Sequence, residues 1–235
     1  MARRTAAKTA SNPLAKLNFT LNTIEPMTAN QEVFFNSYDT GKQQLLLGYP
    51  GTGKTYIALY KALKDIEAGK FRRVVIVRTA VATKDIGFLP GNEAEKGAVY
   101  ELPYKKIISD LFGRDDAYDI LKQHDVIRFM LTSYVRGLTV SSSVLIVDEF
   151  QNMTAHEADS IVTRLDDTSR VLFCGDILQR DLTKNNEKNI EKFLRVVEAM
   201  PDYFDHHYFD IEDIVRSGLV KGYITAKYLM YKDGF

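Results

Sequence analysis

The chain has 235 residues, of which 45% are apolar, and its 31 Lys and Arg residues balance its 31 Asp and Glu residues. This length suits one domain with a sizeable core and excludes two full α/β domains of typical size. The zero net charge provides no general basic field, so nucleic-acid binding would have to depend on local clusters or on an assembly.

The first 24 residues are predicted to form a disordered N-terminal tail. They carry four basic residues and no acid among small and polar residues, a composition that cannot build a core. The tail lacks the apolar stretch of a secretory signal, and the chain contains no run of about 18 apolar residues that could span a bilayer. We therefore expect a cytoplasmic protein without a membrane partner, with one domain over residues 25–235.

Short apolar runs alternate with amphipathic stretches along this domain. The runs are rich in Val, Ile and Leu, which is typical of strands buried on both faces. The predicted strands are 44–47, 73–77, 125–131, 144–147 and 171–173. The predicted helices are 54–68, 154–165, 189–200 and 217–231. This alternation predicts an α/β fold, with a mainly parallel sheet flanked by helices on both faces and a ligand site beyond the carboxyl ends of the strands.

The stretch Gly48-Tyr-Pro-Gly-Thr-Gly-Lys-Thr matches the phosphate-loop pattern, and it lies between a predicted strand and a predicted helix. Its glycines let backbone N–H groups curl around phosphate oxygens, and the helix N-terminus adds a favourable dipole. We expect Lys54 to reach the β- and γ-phosphates and Thr55 to bind Mg²⁺. A glycine turn that only ends a strand would not require the Gly-Lys-Thr triplet. The expected nucleotide-binding residues are Gly48, Pro50, Gly51, Thr52, Gly53, Lys54 and Thr55.

Two adjacent carboxylates, Asp148 and Glu149, end the apolar run 144–147. In a phosphate-loop fold, an acid at a strand tip beside the loop completes the Mg²⁺ shell, and a second acid can deprotonate the attacking water. Asp148 is therefore the expected metal ligand and Glu149 the expected catalytic base. A small-molecule kinase needs an acceptor pocket and a lid but no such base, so Glu149 favours a hydrolase.

Further motifs carry a resemblance to a known family. Asp148-Glu-Phe-Gln-Asn resembles the second motif of superfamily 1 helicases, and Gly175-Asp-Ile-Leu-Gln resembles the third. Four more segments belong to the pattern: Arg78-Thr-Ala-Val, Gly87-Phe-Leu-Pro-Gly, Tyr134-Val-Arg-Gly and Glu212-Asp-Ile-Val-Arg. With them the chain resembles the PhoH-like proteins of bacteria and their phages, from about residue 28 to the C-terminus. It departs from the family at Phe150, where a small residue is common, and at Thr79, where a proline is common.

The resemblance implies a single RecA-like P-loop NTPase domain that hydrolyses ATP, acts in RNA metabolism and has helicase activity. It implies that Gln179 senses the γ-phosphate in catalysis and that Asp176 lies beside the metal and the water. Gln31 would read the adenine edge, and Gln151 would couple the nucleotide state to nucleic acid.

A superfamily 1 motor needs two RecA-like lobes, and this chain has room for one. We expect a neighbouring subunit to supply the far wall of the ATP site in a homo-oligomeric ring, with a hexamer as the expected form. Candidates for the arginine that stabilises the transition-state charge are Arg216 first and Arg180 second. An ion pair of Arg216 with an acid of its own chain is the alternative, and its candidate partners are Asp210, Glu212 and Asp213.

Single-stranded RNA or DNA is expected to contact loops that combine basic and aromatic groups. The candidates are Lys84, Tyr134 and Arg136. The expected function is thus a Mg²⁺-dependent ATPase that single-stranded nucleic acid stimulates and that works as a helicase or translocase. The alternative is a nucleotide-gated RNA-binding or assembly module without motor activity.

Overall fold

The computed structural model describes residues 12–79, 93–135, 140–176 and 187–232 of the chain. The strands are β1 (Gln43–Gly48), β2 (Arg73–Arg78), β3 (Ile127–Leu131), β4 (Ser143–Asp148), β5 (Arg170–Asp176) and β6 (Phe204–Phe209). The helices are α1 (Pro13–Lys16), α2 (Ala29–Tyr38), α3 (Lys54–Glu67), α4 (Glu93–Phe112), α5 (Ala117–Gln123), α6 (Ala155–Val162), α7 (Glu187–Glu198) and α8 (Gly218–Lys232). Short 3₁₀ helices follow β3 at Thr132–Tyr134 and β4 at Phe150–Asn152.

The six strands form one sheet in the order β3-β2-β4-β5-β1-β6, and every neighbouring pair is parallel. Strand β5 lies between β1, which leads into the phosphate loop, and β4, which ends in Asp148. In the register of the sheet Gly48 pairs with Asp176, and Asp148 pairs with Cys174. Because parallel strands end at the same edge, the loop and the carboxylates meet there. The predicted α/β fold with a parallel sheet is confirmed.

Helices cover both faces of the sheet, as predicted. Side chains alternate across each strand, so Leu46 and Ile76 face one core cluster while Leu45 and Val75 face the other. The first cluster contains residues of α1 to α5, and the second contains residues of α6 and α7. The central strands therefore bury both faces, and each fully buried aliphatic side chain contributes about 1.5–3 kcal/mol of hydrophobic free energy.

Several described elements were not predicted from the sequence. Strand β6 lies at the edge of the sheet, and its residues alternate imperfectly between buried and partly exposed positions, so it lacks a continuous apolar run. Helix α4 contains Pro103, which cannot donate the helical backbone hydrogen bond and breaks the usual sequence pattern. Helices α2 and α5 are short and were also missed.

The prediction of a disordered tail over residues 1–24 is wrong for residues 12–24. The Asn12 side chain accepts hydrogen bonds from the first N–H groups of α1. Leu14, Phe19 and Leu21 are buried in the first core cluster, and the Phe19 ring meets the Phe112 ring edge-on with centroids 5.2 Å apart. Burial of these three apolar side chains in the first core cluster keeps the otherwise polar segment folded against the domain. Residues 1–11 lie outside the described residues.

Helix α8 lies at the periphery and exposes apolar side chains. Leu219, Tyr223 and Met230 have exposed fractions of 85%, 70% and 59%. The opposite side of α8 meets the phosphate loop, where the Tyr228 ring lies edge-on to the Tyr49 ring at 5.1 Å. Within the described part of the chain, no helix is long and apolar enough to cross a membrane.

Candidate nucleotide-binding site

A cavity of about 570 Å³ opens at the carboxyl ends of the strands, where the phosphate loop meets α3. The loop forms one wall, and the ends of β2, β4 and β5 form another. Four carboxylates and two arginines are among its lining residues: Asp110, Asp148, Glu149, Asp176, Arg78 and Arg216. The structure therefore brings most of the predicted site residues together in one cavity.

The backbone conformation of the phosphate loop favours glycine at positions 51 and 53. Gly51 and Gly53 have φ angles of +81° and +82°, in the left-handed region that glycine adopts without steric cost. Gly53 also caps the N-terminus of α3, so the free N–H groups of the first helical turn face the cavity. Such N–H groups together with the helix dipole favour a bound phosphate.

Lys54 directs its ammonium group into the curve of the loop. Its Nζ donates to the carbonyl oxygens of Gly48 at 3.1 Å and Tyr49 at 2.7 Å, and to Thr52 Oγ1 at 3.2 Å. Burial lowers the pKa of Lys54, and the carboxylate of Asp176 is the strongest of the groups that oppose this shift. The ammonium group is thus held where the oxygens of a polyphosphate would be its natural acceptors.

Asp148 is buried at the end of β4, and each of its carboxylate oxygens accepts a hydroxyl hydrogen bond. Thr55 Oγ1 donates to Oδ1 at 2.8 Å, and the Tyr104 hydroxyl donates to Oδ2 at 2.8 Å. A threonine hydroxyl and a carboxylate are oxygen ligands of the kind that Mg²⁺ prefers, and Mg²⁺ usually keeps several waters besides such ligands. The donor set of Thr55 and Asp148 therefore fits a magnesium ion.

Glu149 follows directly and has a left-handed backbone conformation with φ of +54°, which costs a non-glycine residue on the order of 1 kcal/mol. Gln151 Nε2 donates to Glu149 Oε2 at 2.6 Å, and Gln151 Oε1 accepts from the backbone N–H of Asp176 at 3.0 Å. Burial raises the pKa of the Glu149 carboxyl, Asp148 raises it further, and the Gln151 hydrogen bond opposes the shift. A carboxylate with a raised pKa is a better proton acceptor near neutral pH.

Arg216 lies against the phosphate loop of its own chain. The backbone N–H of Val215 donates to the Gly51 carbonyl at 3.0 Å, and a Cβ on Gly51 would lie 2.8 Å from Arg216 Cγ. Within the described ranges, Arg216 forms no ion pair with the acids that precede it. Asp213 instead accepts from Asn30 Nδ2 at 2.7 Å. The ion pair considered as an alternative role for Arg216 is therefore absent from the described structure.

Comparison with known proteins identifies the family. The family model described as PhoH-like protein matches residues 23–228. The chain belongs to the PhoH family. It is 30% identical over 212 residues to the PhoH-like protein of Mycobacterium leprae, covering 90% of this chain and 60% of that protein. It is 33% identical over 181 residues to Protein PhoH of Escherichia coli K12, covering 76% of this chain and 51% of that protein. The chain thus spans about half to 60% of the length of these relatives.

Solved structures that resemble this PhoH domain in part include a terminase and a helicase domain. The large terminase of a thermophilic bacteriophage has a TM-score of 0.49 and 11% identity, over 85% of this chain and 50% of that chain. The Pyrococcus furiosus Hef helicase domain has a TM-score of 0.48 and 13% identity, over 77% of this chain and 38% of that chain. The family assignment depends on the sequence matches and not on these likenesses.

Gln31 has a different place in this PhoH domain from the one predicted. It is buried, its Oε1 accepts from the Met27 N–H at 2.8 Å, and its Nε2 donates to the Thr52 carbonyl at 3.0 Å. It does not line the cavity. Gln31 therefore holds the phosphate loop against α2, and this geometry does not support a direct contact with an adenine edge.

Phe150 marks a departure from the PhoH pattern that the structure explains. Its ring is buried edge-on to Phe173 at 5.7 Å and lies against Gly175. A Cβ on Gly175 would be only 2.4 Å from Phe150 Cε1 and 3.0 Å from Gln151 Oε1. The large residue at position 150 is accommodated because position 175 has no side chain.

Of the predicted nucleic-acid contacts, the predicted γ-phosphate sensor and the second arginine candidate, only Tyr134 lies within the described residues. Tyr134 is 44% exposed in the 3₁₀ helix after β3 and does not line the cavity. The other predicted residues lie outside the described residues: Lys84, Arg136, Gln179 and Arg180. Their predicted roles stay predictions.

Among the cavity residues that the sequence did not predict as site residues, Arg78 and Tyr104 lie beside Asp148. Arg78 ends β2 beside Asp148, and its guanidinium lies over the Tyr100 ring at 5.7 Å. Burial acts to lower the pKa of Arg78, but Tyr104, Asp148 and Glu149 outweigh it, and the pKa is raised. Tyr104 is the second. The family motif that begins at Arg78 could have drawn attention to that arginine, whereas Tyr104 belongs to no motif identified in the sequence.

Proposed function

We propose that this PhoH domain is a Mg²⁺-dependent ATPase whose turnover is stimulated by single-stranded RNA or DNA. The phosphate loop makes it a domain of the P-loop NTPase type. The observation that carries the proposal is the 2.8 Å hydrogen bond between Thr55 and Asp148 across the mouth of the phosphate loop, with Glu149 directly beside it. This arrangement supplies a phosphate cradle, a metal site and a base within one cavity.

The chemistry proposed for the site is attack of water on the γ-phosphorus. The loop N–H groups and Lys54 would bind the β- and γ-phosphate oxygens, and Thr55 and Asp148 would hold the magnesium ion. Magnesium, when bound, would neutralise charge on both phosphates. Glu149 accepts a proton from the attacking water while the new bond to phosphorus forms. The bond between the γ-phosphorus and the bridging oxygen breaks, and ADP leaves with the electron pair.

Gln151 supports a link between this chemistry and nucleic acid. It joins Glu149 to the end of β5, so movement of either segment would move the base. We propose that nucleic acid acts on the base through this link and that Tyr134, Lys84 and Arg136 contribute to nucleic-acid contact. A helicase or translocase activity of the whole protein belongs to the same proposal.

The oligomeric ring also belongs to the proposal, with a hexamer as its expected form. One lobe leaves the cavity open on one side, and a second copy could close it. The contact of Arg216 with Gly51 of the same chain favours action of this arginine on the nucleotide of its own subunit. The alternative, action on a neighbour's nucleotide, would require the side chain to leave the loop.

A second candidate function has one observation in its favour. Helix α8 touches the phosphate loop through Tyr228 and exposes apolar residues on its other side. Nucleotide binding could therefore change the position of α8 and of its exposed apolar side chains. Such a change is expected for a nucleotide-gated RNA-binding or assembly module without motor activity.

Steady-state ATP hydrolysis of the wild type and of Glu149→Gln, with and without single-stranded RNA and DNA, tests the proposal. We expect the variant to bind ATP but to turn it over at least about 100-fold more slowly, because it lacks the proton acceptor. The exposed Glu191→Gln substitution on α7 is the matched control and should leave the rate unchanged. An equal rate for Glu149→Gln would refute the base assignment. Absence of stimulation, together with a solution mass that changes with ATP, would favour the assembly module.

A further inference from the structure

We propose that Tyr104 is a positioning residue of the magnesium site, whose hydroxyl fixes the orientation of the Asp148 carboxylate. The inference rests on the proposed function, because it assigns a role toward the metal that accompanies the nucleotide. It adds a residue from α4 to a site that the sequence motifs place on the phosphate loop and β4.

The contacts of Asp148 carry the inference. Its two oxygens accept from hydroxyls on two different helices, Thr55 on α3 and Tyr104 on α4, each at 2.8 Å. The two hydrogen bonds, one to each oxygen, together fix the orientation of the carboxylate plane. Without the Tyr104 hydroxyl, Oδ2 would lose its donor inside a buried environment, and only the Thr55 hydrogen bond would orient the carboxylate.

The Tyr104 side chain is held in place by burial and by packing against another ring. Tyr104 is 0% exposed, and its ring packs at 5.8 Å against that of Phe129 on β3. A phenol has a single O–H to donate, and Tyr104 donates it to Asp148 Oδ2.

A second buried tyrosine, Tyr118, has a hydroxyl that bonds to a carboxylate outside the cavity and serves as a comparison. Tyr118 on α5 donates to Glu101 Oε2 at 2.8 Å, and that carboxylate also pairs with Lys122. This cluster ties α5 to α4 and lies outside the cavity. Tyr104 has the same chemistry, but its acceptor is the expected metal ligand. The two tyrosines therefore differ in their acceptors: Tyr104 bonds to the proposed metal ligand Asp148, whereas Tyr118 bonds to Glu101, which joins two helices.

The test compares Tyr104→Phe, Tyr118→Phe and the wild type in binding of a fluorescent methylanthraniloyl ATP, across a magnesium titration and in EDTA. Loss of a partner that orients a metal ligand typically weakens metal affinity by 10–100-fold. We expect Tyr104→Phe to need about tenfold more magnesium for half-maximal binding. Tyr118→Phe should match the wild type, and all three should bind the nucleotide equally in EDTA, because neither phenol reaches the phosphate loop.

A magnesium dependence of Tyr104→Phe equal to that of the wild type would overturn the inference and leave the proposed function intact. Absence of nucleotide binding by the wild type at every magnesium concentration would overturn both. If Tyr104→Phe does not fold, Phe129→Leu provides a second test, because it loosens the ring but keeps the hydroxyl. It should shift the magnesium requirement in the same direction by a smaller factor, and no shift would also overturn the inference.

Discussion

Glu149 illustrates how single residues set the chemistry of the site. Its left-handed backbone turns the chain sharply after β4, so that two successive acids face different partners. Asp148 meets hydroxyls on α3 and α4, whereas Glu149 meets the amide of Gln151. The strain at one residue thus separates the proposed metal ligand from the proposed proton acceptor, although the two are neighbours in sequence.

His207 on β6, which does not line the cavity, allows a test of protonation in the folded protein. Its Nε2 lies 2.8 Å from Gln44 Oε1, and its ring meets Phe34 edge-on at 5.3 Å. Burial lowers the pKa of His207 from 6.5 to about 4, with Asp205 opposing the shift and His206 adding to it. The unfolded chain therefore binds a proton more readily, and folded-state stability is lost as the pH falls from about 6.5 towards 4.

His207→Gln should remove this dependence, because glutamine stays neutral and can still bond to Gln44. We expect the wild type to lose about 1–2 kcal/mol more than the variant between pH 7 and pH 4, a value discounted for partial solvent screening. Urea unfolding at several pH values measures this difference. Parallel stability curves for the two proteins would contradict the assignment of a depressed pKa.

At the scale of elements, the central strands could be predicted because both of their faces are buried. Continuous apolar runs at β1, β4 and β5 are typical of buried parallel strands. The phosphate loop could be predicted because its glycines, lysine and threonine occur at fixed intervals. The edge strand β6 and helix α4 could not be predicted by the same rules. The contact between Tyr104 and Asp148 joins residues 44 positions apart, and no local pattern signals it. The partners of Gln31, which are the Met27 N–H and the Thr52 carbonyl, are likewise invisible in the sequence.

The junction between β5 and the 3₁₀ helix after β4 depends on Gly175. Gly175→Ala would push a Cβ into the Phe150 ring and towards Gln151 Oε1. We expect a loss of about 1–3 kcal/mol of stability, as is usual for overpacking, and slower ATP turnover because Gln151 holds Glu149.

A matched control for this substitution lies on α8. Gly222→Ala would place a Cβ with no atom within 4 Å, and it should stabilise the helix by up to about 1 kcal/mol. Thermal unfolding of both variants measures the contrast. If Gly175→Ala were as stable as the wild type, the close packing described for this junction would be wrong.

For the whole molecule, the cavity lies at one edge of the sheet, and the N-terminal segment packs against α4, which contributes residues to that cavity. The backbone N–H of Asn22 donates to the Leu111 carbonyl at 2.9 Å, and its side chain donates to the Asp110 carbonyl at 3.2 Å. Residues 12–24 thereby hold α4, the helix that carries Tyr104. We infer that this segment belongs to the folded unit and contributes to the shape of the site.

Mixing two inactive variants tests how subunits share the site. Lys54→Ala lacks the proposed phosphate ligand, and Arg216→Ala lacks the candidate arginine. Because Arg216 contacts its own loop, we expect a mixture to hydrolyse ATP no faster than the sum of its components. Activity restored well above that sum would mean that Arg216 acts on a neighbouring subunit, as the sequence first suggested.

Lys54 and the phosphate loop are proposed to bind a magnesium nucleotide. Equilibrium binding of ATP with magnesium to the wild type and to Lys54→Ala measures this interaction, with the exposed Lys192→Ala on α7 as control. We expect Lys54→Ala to bind at least about tenfold more weakly, since a charge-assisted hydrogen bond contributes about 1.5–3 kcal/mol, and Lys192→Ala to bind like the wild type. No detectable binding by the wild type, or equal binding by Lys54→Ala, would contradict the claim.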